Sequence, residues 1–424
     1  MSKRFVLFFV VIVALVLASC APAATAVAPT ATAAASSAAT TAPTAASASG
    51  APAACATDAF GCAKIDPGET IKIGMGAPMT GGDASYGIDI SQGGIIATQD
   101  AGTFDGFKFE LVAQDDGGTA EGGAAVANKF VSDPTVVAIA GHIFSGATAA
   151  AIPIYEKAGL PMMSPSATNP DLTTTGSKVF NRIAFTDSSQ AKFAAAYLFN
   201  KLGVKNLAIL HDGSDYGKGL ATLVQTDFTA LGGKIVIFQA ITPGETDYTA
   251  VLSTVASYSP QALYYGGYTA EAAILVNEMK QTGLDKTIFF GCDGTYGEDF
   301  LTRTGANGEG AYAVSLTPPD SAAKTKFDQE YQTEFGKKPG VLSPYTWNGY
   351  DSVASLISVV EKVAVKGDDG SLYVPRGALV TAVRSLSNYQ GLTGTFTCDS
   401  VGECNASGPI FVVVQNGAWV VAPE

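Results

Sequence analysis

Residues 136–147 read Val136-Val137-Ala138-Ile139-Ala140-Gly141-His142-Ile143-Phe144-Ser145-Gly146-Ala147. Residues 159–170 read Gly159-Leu160-Pro161-Met162-Met163-Ser164-Pro165-Ser166-Ala167-Thr168-Asn169-Pro170. Each opens with a short apolar run of the kind that fills a strand buried on both faces. A helical run lies between them. Two parallel-type strands thus finish close together in sequence, each followed by small hydroxyl residues and a turn. Free backbone N–H groups and hydroxyls gathered at strand ends and helix starts make a socket for a small anion such as a carboxylate. The pair of stretches points to recognition of a small ligand.

Working outward, the chain alternates strand and helix from residue 71 onward. Strands are expected over 71–75, 108–113 and 136–140, with helices over 86–101 and 121–131. A second series follows residue 187, with strands over 206–211, 234–240, 262–266 and 287–290. Helices over 216–231, 249–257 and 270–282 separate them. Two successive βαβ series of similar length predict two doubly wound parallel-sheet lobes, an α/β fold. A strand over 311–317, helices over 322–335 and 350–365, and late β runs over 392–397 and 409–414 could complete either lobe.

Composition bounds the rest. The chain has 424 residues, enough for two medium domains, and is 47% hydrophobic and 15% charged, which is globular. Net charge is −13, which argues against nucleic acid or an anionic membrane as partner of the folded part. Lys3-Arg4, the apolar run 5–17 and Leu17-Ala18-Ser19-Cys20 read as a signal peptide over 1–19. That ending resembles the bacterial lipobox, in which Cys20 becomes the lipidated first residue. No other stretch is long and apolar enough to span a membrane. Ala, Thr, Pro and Ser dominate the following segment, which has nothing large to bury, so a disordered tether is expected over 20–67. The part up to residue 54 has a root-mean-square span of roughly 30 Å.

Cys55 and Cys62 are close neighbours, as are Cys398 and Cys404, and each pair could close a small loop. Cys292 is left over as a buried thiol. These spacings are poor for a metal, and His142 and His211 are the only histidines, so neither metal nor cofactor is expected.

Strand ends carry the candidate site residues, because ligands of parallel α/β sheets bind there. In the first series these are Tyr86, Ser145, Ser166, Ala167 and Thr168. In the second they are Tyr216, Tyr268 and Asp293. Each has a plain structural alternative: Asp293 before Gly294 is a common turn, Ser145 and Thr168 suit helix caps, and tyrosines beside glycines suit packing at a rim. A carboxylate socket on one wall and Asp293 on the other suit a zwitterion, an α-amino acid. Enzyme readings fail on specifics. Gly74-Met75-Gly76 starts a dinucleotide fingerprint, but Met79 stands where the third glycine belongs. P-loop, nucleophile-elbow and zinc-protease patterns are missing from the sequence.

Several segments together bring a family to mind. Ile71-Lys72-Ile73-Gly74-Met75-Gly76-Ala77-Pro78-Met79-Thr80-Gly81, with Tyr86-Gly87 after it, resembles the opening of the Leu/Ile/Val-binding proteins of ABC importers. So do Val126-Ala127-Asn128-Lys129, Gly141-His142, Pro165-Ser166-Ala167-Thr168, His211-Asp212 with Tyr216-Gly217, Tyr264-Tyr265-Gly266-Gly267-Tyr268, and Thr346-Trp347. The resemblance runs from about residue 70 to the C-terminus. It implies a type I periplasmic binding protein: two lobes joined by three hinge crossings that close on a ligand. The lobes would comprise 68–186 plus 316–390 and 187–315 plus 391–424. By resemblance, Ser145, Ser166 and Thr168 hold an α-carboxylate, and Thr168 and Asp293 an α-amino group. Tyr86, Tyr216, Tyr268 and Tyr345 line or cap the pocket. Two departures stand out. The family often has Glu where Asp293 stands, and Phe144 and Gly117 occupy positions where relatives carry a disulfide.

The expectation is a monomeric, lipid-anchored binder of an α-amino acid, branched-chain or similar, on the outer face of the cell membrane or its periplasmic side. It would deliver its ligand to ABC permease subunits with cytoplasmic ATPases and catalyse nothing. A binder of amides, urea or aromatic acids, or a sensor domain signalling to a partner, are the alternatives.

Overall fold

Strands with both faces buried dictate the architecture. Val136–Ile139 and Ala262–Gly266 are buried at every residue, and Ile71–Ala77 at all but Lys72. Such strands need helices on both sides of their sheet. The computed structural model describes residues 51–405 and 407–423. Cys20, the apolar run 5–17 and the tether up to residue 50 lie outside those residues.

Two central sheets form. The first runs in the order Thr103–Phe104, Phe107–Asp115, Ile71–Ala77, Val136–Ile139, Met162–Ser164, Phe180–Arg182, parallel except for its first pair. The second runs Ala418–Val421, Ile410–Gln415, Tyr312–Ser315, Ile288–Phe290, Ala262–Gly266, Asn206–His211, Lys234–Ala240. Its last five strands are parallel, and the first two form an antiparallel edge. The late run Ile410–Gln415 therefore extends the second sheet. The run near 394 instead forms a separate hairpin, Tyr389–Gly391 with Gly394–Phe396. The helix Thr346–Val363 packs along Ala84–Ala101 beside the first sheet, and Asp187–Ala196 along Asp215–Ala230 beside the second.

Three short elements correct the expected layout. The tether expected to reach residue 67 gives way earlier to a helix, Ala53–Thr57, and a strand, Cys62–Ile65. That strand pairs antiparallel with Leu372–Pro375, and Ala63 and Ile65 are buried against the main core. Four residues carry too little alternation to announce a strand. Phe180–Arg182 was likewise hidden, because a three-residue strand containing Asn and Arg lacks the apolar signature. Disulfides join Cys55 to Cys62 and Cys398 to Cys404, and Cys292 is a buried free thiol.

Candidate functional site

The first wall is built by hydroxyls that stitch two loops together. Ser164 Oγ donates to the His142 carbonyl (2.7 Å) and accepts from the Ala167 N–H (3.0 Å). Ser166 Oγ donates to the Ile143 carbonyl (2.8 Å). Ser145 starts the helix Ser145–Ala158, and its Oγ accepts from the Asn169 N–H (3.3 Å). Below the loops, His142 is fully buried between Asp116 (2.6 Å) and the Tyr155 hydroxyl (3.0 Å), a structural position.

Thr168 is different. Its Oγ1 is buried without a hydrogen-bond partner, and no acceptor faces its N–H among the described residues. The site residues expected on this wall thus divide. Ser145 keeps its hydroxyl proton and first-turn N–H free to meet an anion at a helix start, and Thr168 keeps an unbonded N–H, its carbonyl and hydroxyl lying beside Asp187. Ser166 and Ala167 spend their polar groups on holding the loop.

The second wall centres on Asp293, which opens the short turn Asp293–Thr295 and is 3% exposed. Its Oδ1 accepts from Gln190 Nε2 (2.7 Å) and the Tyr216 hydroxyl, and its Oδ2 from the Tyr345 hydroxyl (2.7 Å). Tyr86 shares its hydroxyl proton between the carbonyls of Asp293 (2.6 Å) and Tyr296 (2.7 Å). Burial, and then the charge of Asp293, hold the Tyr86, Tyr216 and Tyr345 hydroxyls well above the ordinary range, so all three remain donors.

Sequence reading missed two members of this wall. Asp187 is fully buried, and its Oδ2 has no hydrogen-bond partner. Its Oδ1 lies 3.5 Å from the Gln190 amide, which also serves Asp293. Burial first, then the Asp293 charge, push the Asp187 carboxyl well above its usual range. In sequence, Thr186-Asp187-Ser188-Ser189-Gln190 reads as an ordinary helix start, and Thr186 does cap that helix. Nothing local marks Asp187 or Gln190 as pointing into a cleft.

Aromatic rings close the space between the walls. Phe144 stacks on Tyr268 (4.1 Å, 12°) and meets Tyr86 edge-on (6.1 Å), and Tyr268 lies 5.2 Å from Tyr216. The Phe144 ring also lies over Gly118. The space left between the rings is narrow, a cavity volume of about 10 Å³, which holds roughly one water. Tyr86, Ser145, Ser166, Tyr216, Tyr268, Asp293 and Tyr345 all line it, with Ile143, Phe144 and Gly294. Thr168 and Asp187 are buried behind this surface. A larger groove shares Ser145 and runs between the helices Ser145–Ala158 and Asp215–Ala230. Its carboxylates, Glu156, Asp171 and Asp215, are half-buried or exposed, so it lacks the desolvated charge of the inner cavity.

Comparison with known proteins places this geometry in context. A family model described as periplasmic binding protein matches residues 70–417. The leucine-, isoleucine-, valine-, threonine-, and alanine-binding protein of Pseudomonas aeruginosa is 35% identical over 249 residues, 58% of this chain and 66% of that protein, just under two thirds of its length. The Leu/Ile/Val-binding protein of Escherichia coli K12 is 31% identical over 308 residues, 72% of this chain and 82% of that one. The substrate-binding protein LivJ of Streptococcus pneumoniae, solved in complex with isoleucine, superposes with a TM-score of 0.73 at 29% identity. That superposition covers 83% of this chain and 98% of that one.

Proposed function

The chain belongs to the periplasmic binding protein family, and on that premise we propose that it captures an α-amino acid between its lobes for an ABC importer. The observation that carries this reading is the pairing of unlike vacancies across one cavity. Thr168 and Ser145 offer unspent N–H donors on one side, with the Asp187 carboxyl beside Thr168, and Asp293 sets a buried carboxylate on the other. An α-carboxylate suits the first and an α-ammonium the second. Charge-assisted hydrogen bonds to both ends are strong in a dry cleft, and a neutral analogue leaves one partner unpaired. Asp293 already accepts three hydrogen bonds, so Asp187 with its unbonded Oδ2 shares the ammonium role. That second carboxylate compensates for the short arm of Asp293.

Tyr86, Tyr216, Tyr268 and Tyr345 wall the side-chain end of the cleft. Capture involves hinge closure of lobes 68–186 plus 316–390 and 187–315 plus 391–424. Cys20 carries the lipid that holds the domain outside the cell membrane, and a permease receives the ligand.

A melting screen over amino acids, amides and aromatic acids tests the reading. A cognate amino acid at ~100 times its Kd adds about 2.7 kcal/mol of stability. If amides or benzoates shift the transition and no amino acid does, the zwitterion reading is wrong.

A further inference from the structure

Arg182 is a fully buried guanidinium whose five N–H donors are all spent. Nη1 donates to the carbonyls of Ala167 (3.0 Å) and Asn169 (2.7 Å). Nε donates to Glu403 Oε2 (2.8 Å), and Nη2 to Glu403 Oε1 and Thr173 Oγ1 (3.4 Å). Thr173 Oγ1 in turn donates to Glu403 Oε1 (2.9 Å). Glu403 sits in the loop closed by the Cys398–Cys404 disulfide. The backbone repeats the tie. The Arg182 N–H donates to the Gly402 carbonyl and the Cys404 N–H to the Arg182 carbonyl, both at 2.9 Å. Gly402 has φ near +100°, and a Cβ there would lie 2.3 Å from the Phe180 carbonyl, so the loop reaches the sheet edge only with glycine.

The two carbonyls that Arg182 holds belong to the loop carrying Thr168. In a trans peptide the C=O and the following N–H point in opposite directions. Anchoring the Ala167 carbonyl on Arg182 therefore turns the unbonded Thr168 N–H the other way. A guanidinium this deep needs a counter-charge, and Glu403 supplies it in two-pronged form.

We propose that Glu403 is a positioning residue for the ligand's carboxylate: held by its disulfide loop, it fixes Arg182, and Arg182 sets the peptide planes that aim Thr168. This rests on the amino-acid reading above. Glu403 does not line the inner cavity and retains 20% side-chain exposure, so a shape-preserving change there is tolerable.

The test is isothermal titration of the full chain and its Glu403→Gln variant with the amino acid that stabilises the protein best and with that amino acid's α-amide. Glu403→Gln weakens the acid roughly tenfold while the amide changes less than about twofold, so the acid-to-amide preference drops about tenfold. Glu403→Asp, which keeps the charge, recovers part of that preference. Should Glu403→Gln fail to fold, Thr173→Val, which removes the hydroxyl that bridges Arg182 and Glu403 and also bonds the Pro170 carbonyl, shows a smaller drop in the same ratio. An unchanged ratio, whether both affinities fall together or neither moves, overturns the proposal while the amino-acid reading stands. If the unaltered protein binds no amino acid, both readings fall together.

Discussion

Gly118 has φ near +68°, and a Cβ there would come within 2.6 Å of the Phe144 ring. Both facts forbid a side chain, because the backbone is left-handed and the ring is wedged between Gly118 and Tyr268. Gly118→Ala should cost roughly 1–3 kcal/mol in chemical denaturation. Adding Phe144→Ala relieves the clash, so the double variant should lose less than the sum of the two single changes. Strict additivity would show that the ring does not press on Gly118. Residue identity at the cavity was largely legible in advance, since seven of the expected positions line it. What each polar group does was not. Ser166 turns its hydroxyl inward to Ile143, and Thr168 bonds Asp187 through its carbonyl while its N–H stays unpaired. A sequence names donors and acceptors but not their partners, which come from other strands.

The helix Arg376–Arg384 shows how distant segments make one element. Its cap is Asp58, from the far end of the chain, accepting from the N–H groups of Gly377 (2.9 Å) and Ala378 (3.0 Å). Just beyond, Cys62–Ile65 pairs with Leu372–Pro375, and the Arg376 N–H donates to the Gly61 carbonyl. Asp58→Ala should cost about 1 kcal/mol, as loss of a helix cap does. Unfolding followed by circular dichroism in denaturant measures it, and an unmoved midpoint would mean that water replaces the cap without loss. Long periodic elements were readable: helices expected over 322–335 and 249–257 appear as Ala322–Phe335 and Thr249–Ser257. Cys62–Ile65 and Phe180–Arg182 were not, because a short strand without an apolar run takes its stability from pairing partners elsewhere in the chain.

At the scale of the molecule, the closure proposed above rests on contacts between the two lobes. Tyr86, Asn169 and Tyr345 cross to the second lobe, and Arg303 Nη2 returns to the Gly82 carbonyl (3.2 Å). Beside that last contact sits Asp83. Its Oδ1 is shut from solvent with no partner, and Glu271, Asp212 and Arg303 face it. Burial, then the Glu271 carboxylate, raise its carboxyl to about 7. Opening the lobes returns Asp83 to water and to its usual range near about 4. Closure therefore takes up a proton between about pH 4 and 7, weakens as pH rises through that window, and levels off above it. Ligand affinity should fall over the same interval, and Asp83→Asn should flatten the decline. Kd measured from about pH 5 to 8 decides: an unaltered slope in the variant clears Asp83 of the effect.

The sequence by itself determined two doubly wound lobes, because strands buried on both faces and helices of regular period write their pattern locally, and the family was legible only through the resemblance of its motifs. It also determined most of the rim of the cavity, since parallel sheets put ligands at the ends of their strands. Only the tertiary structure decided that Asp187 and Gln190 join Asp293, that Arg182 and Glu403 brace the loop opposite, and that Asp83 lies where the lobes meet. Each of these depends on which unlike charges and unspent hydrogen bonds are brought together and sealed from water. Burial and partnership of that kind arise between segments far apart in the chain, and no local pattern encodes them.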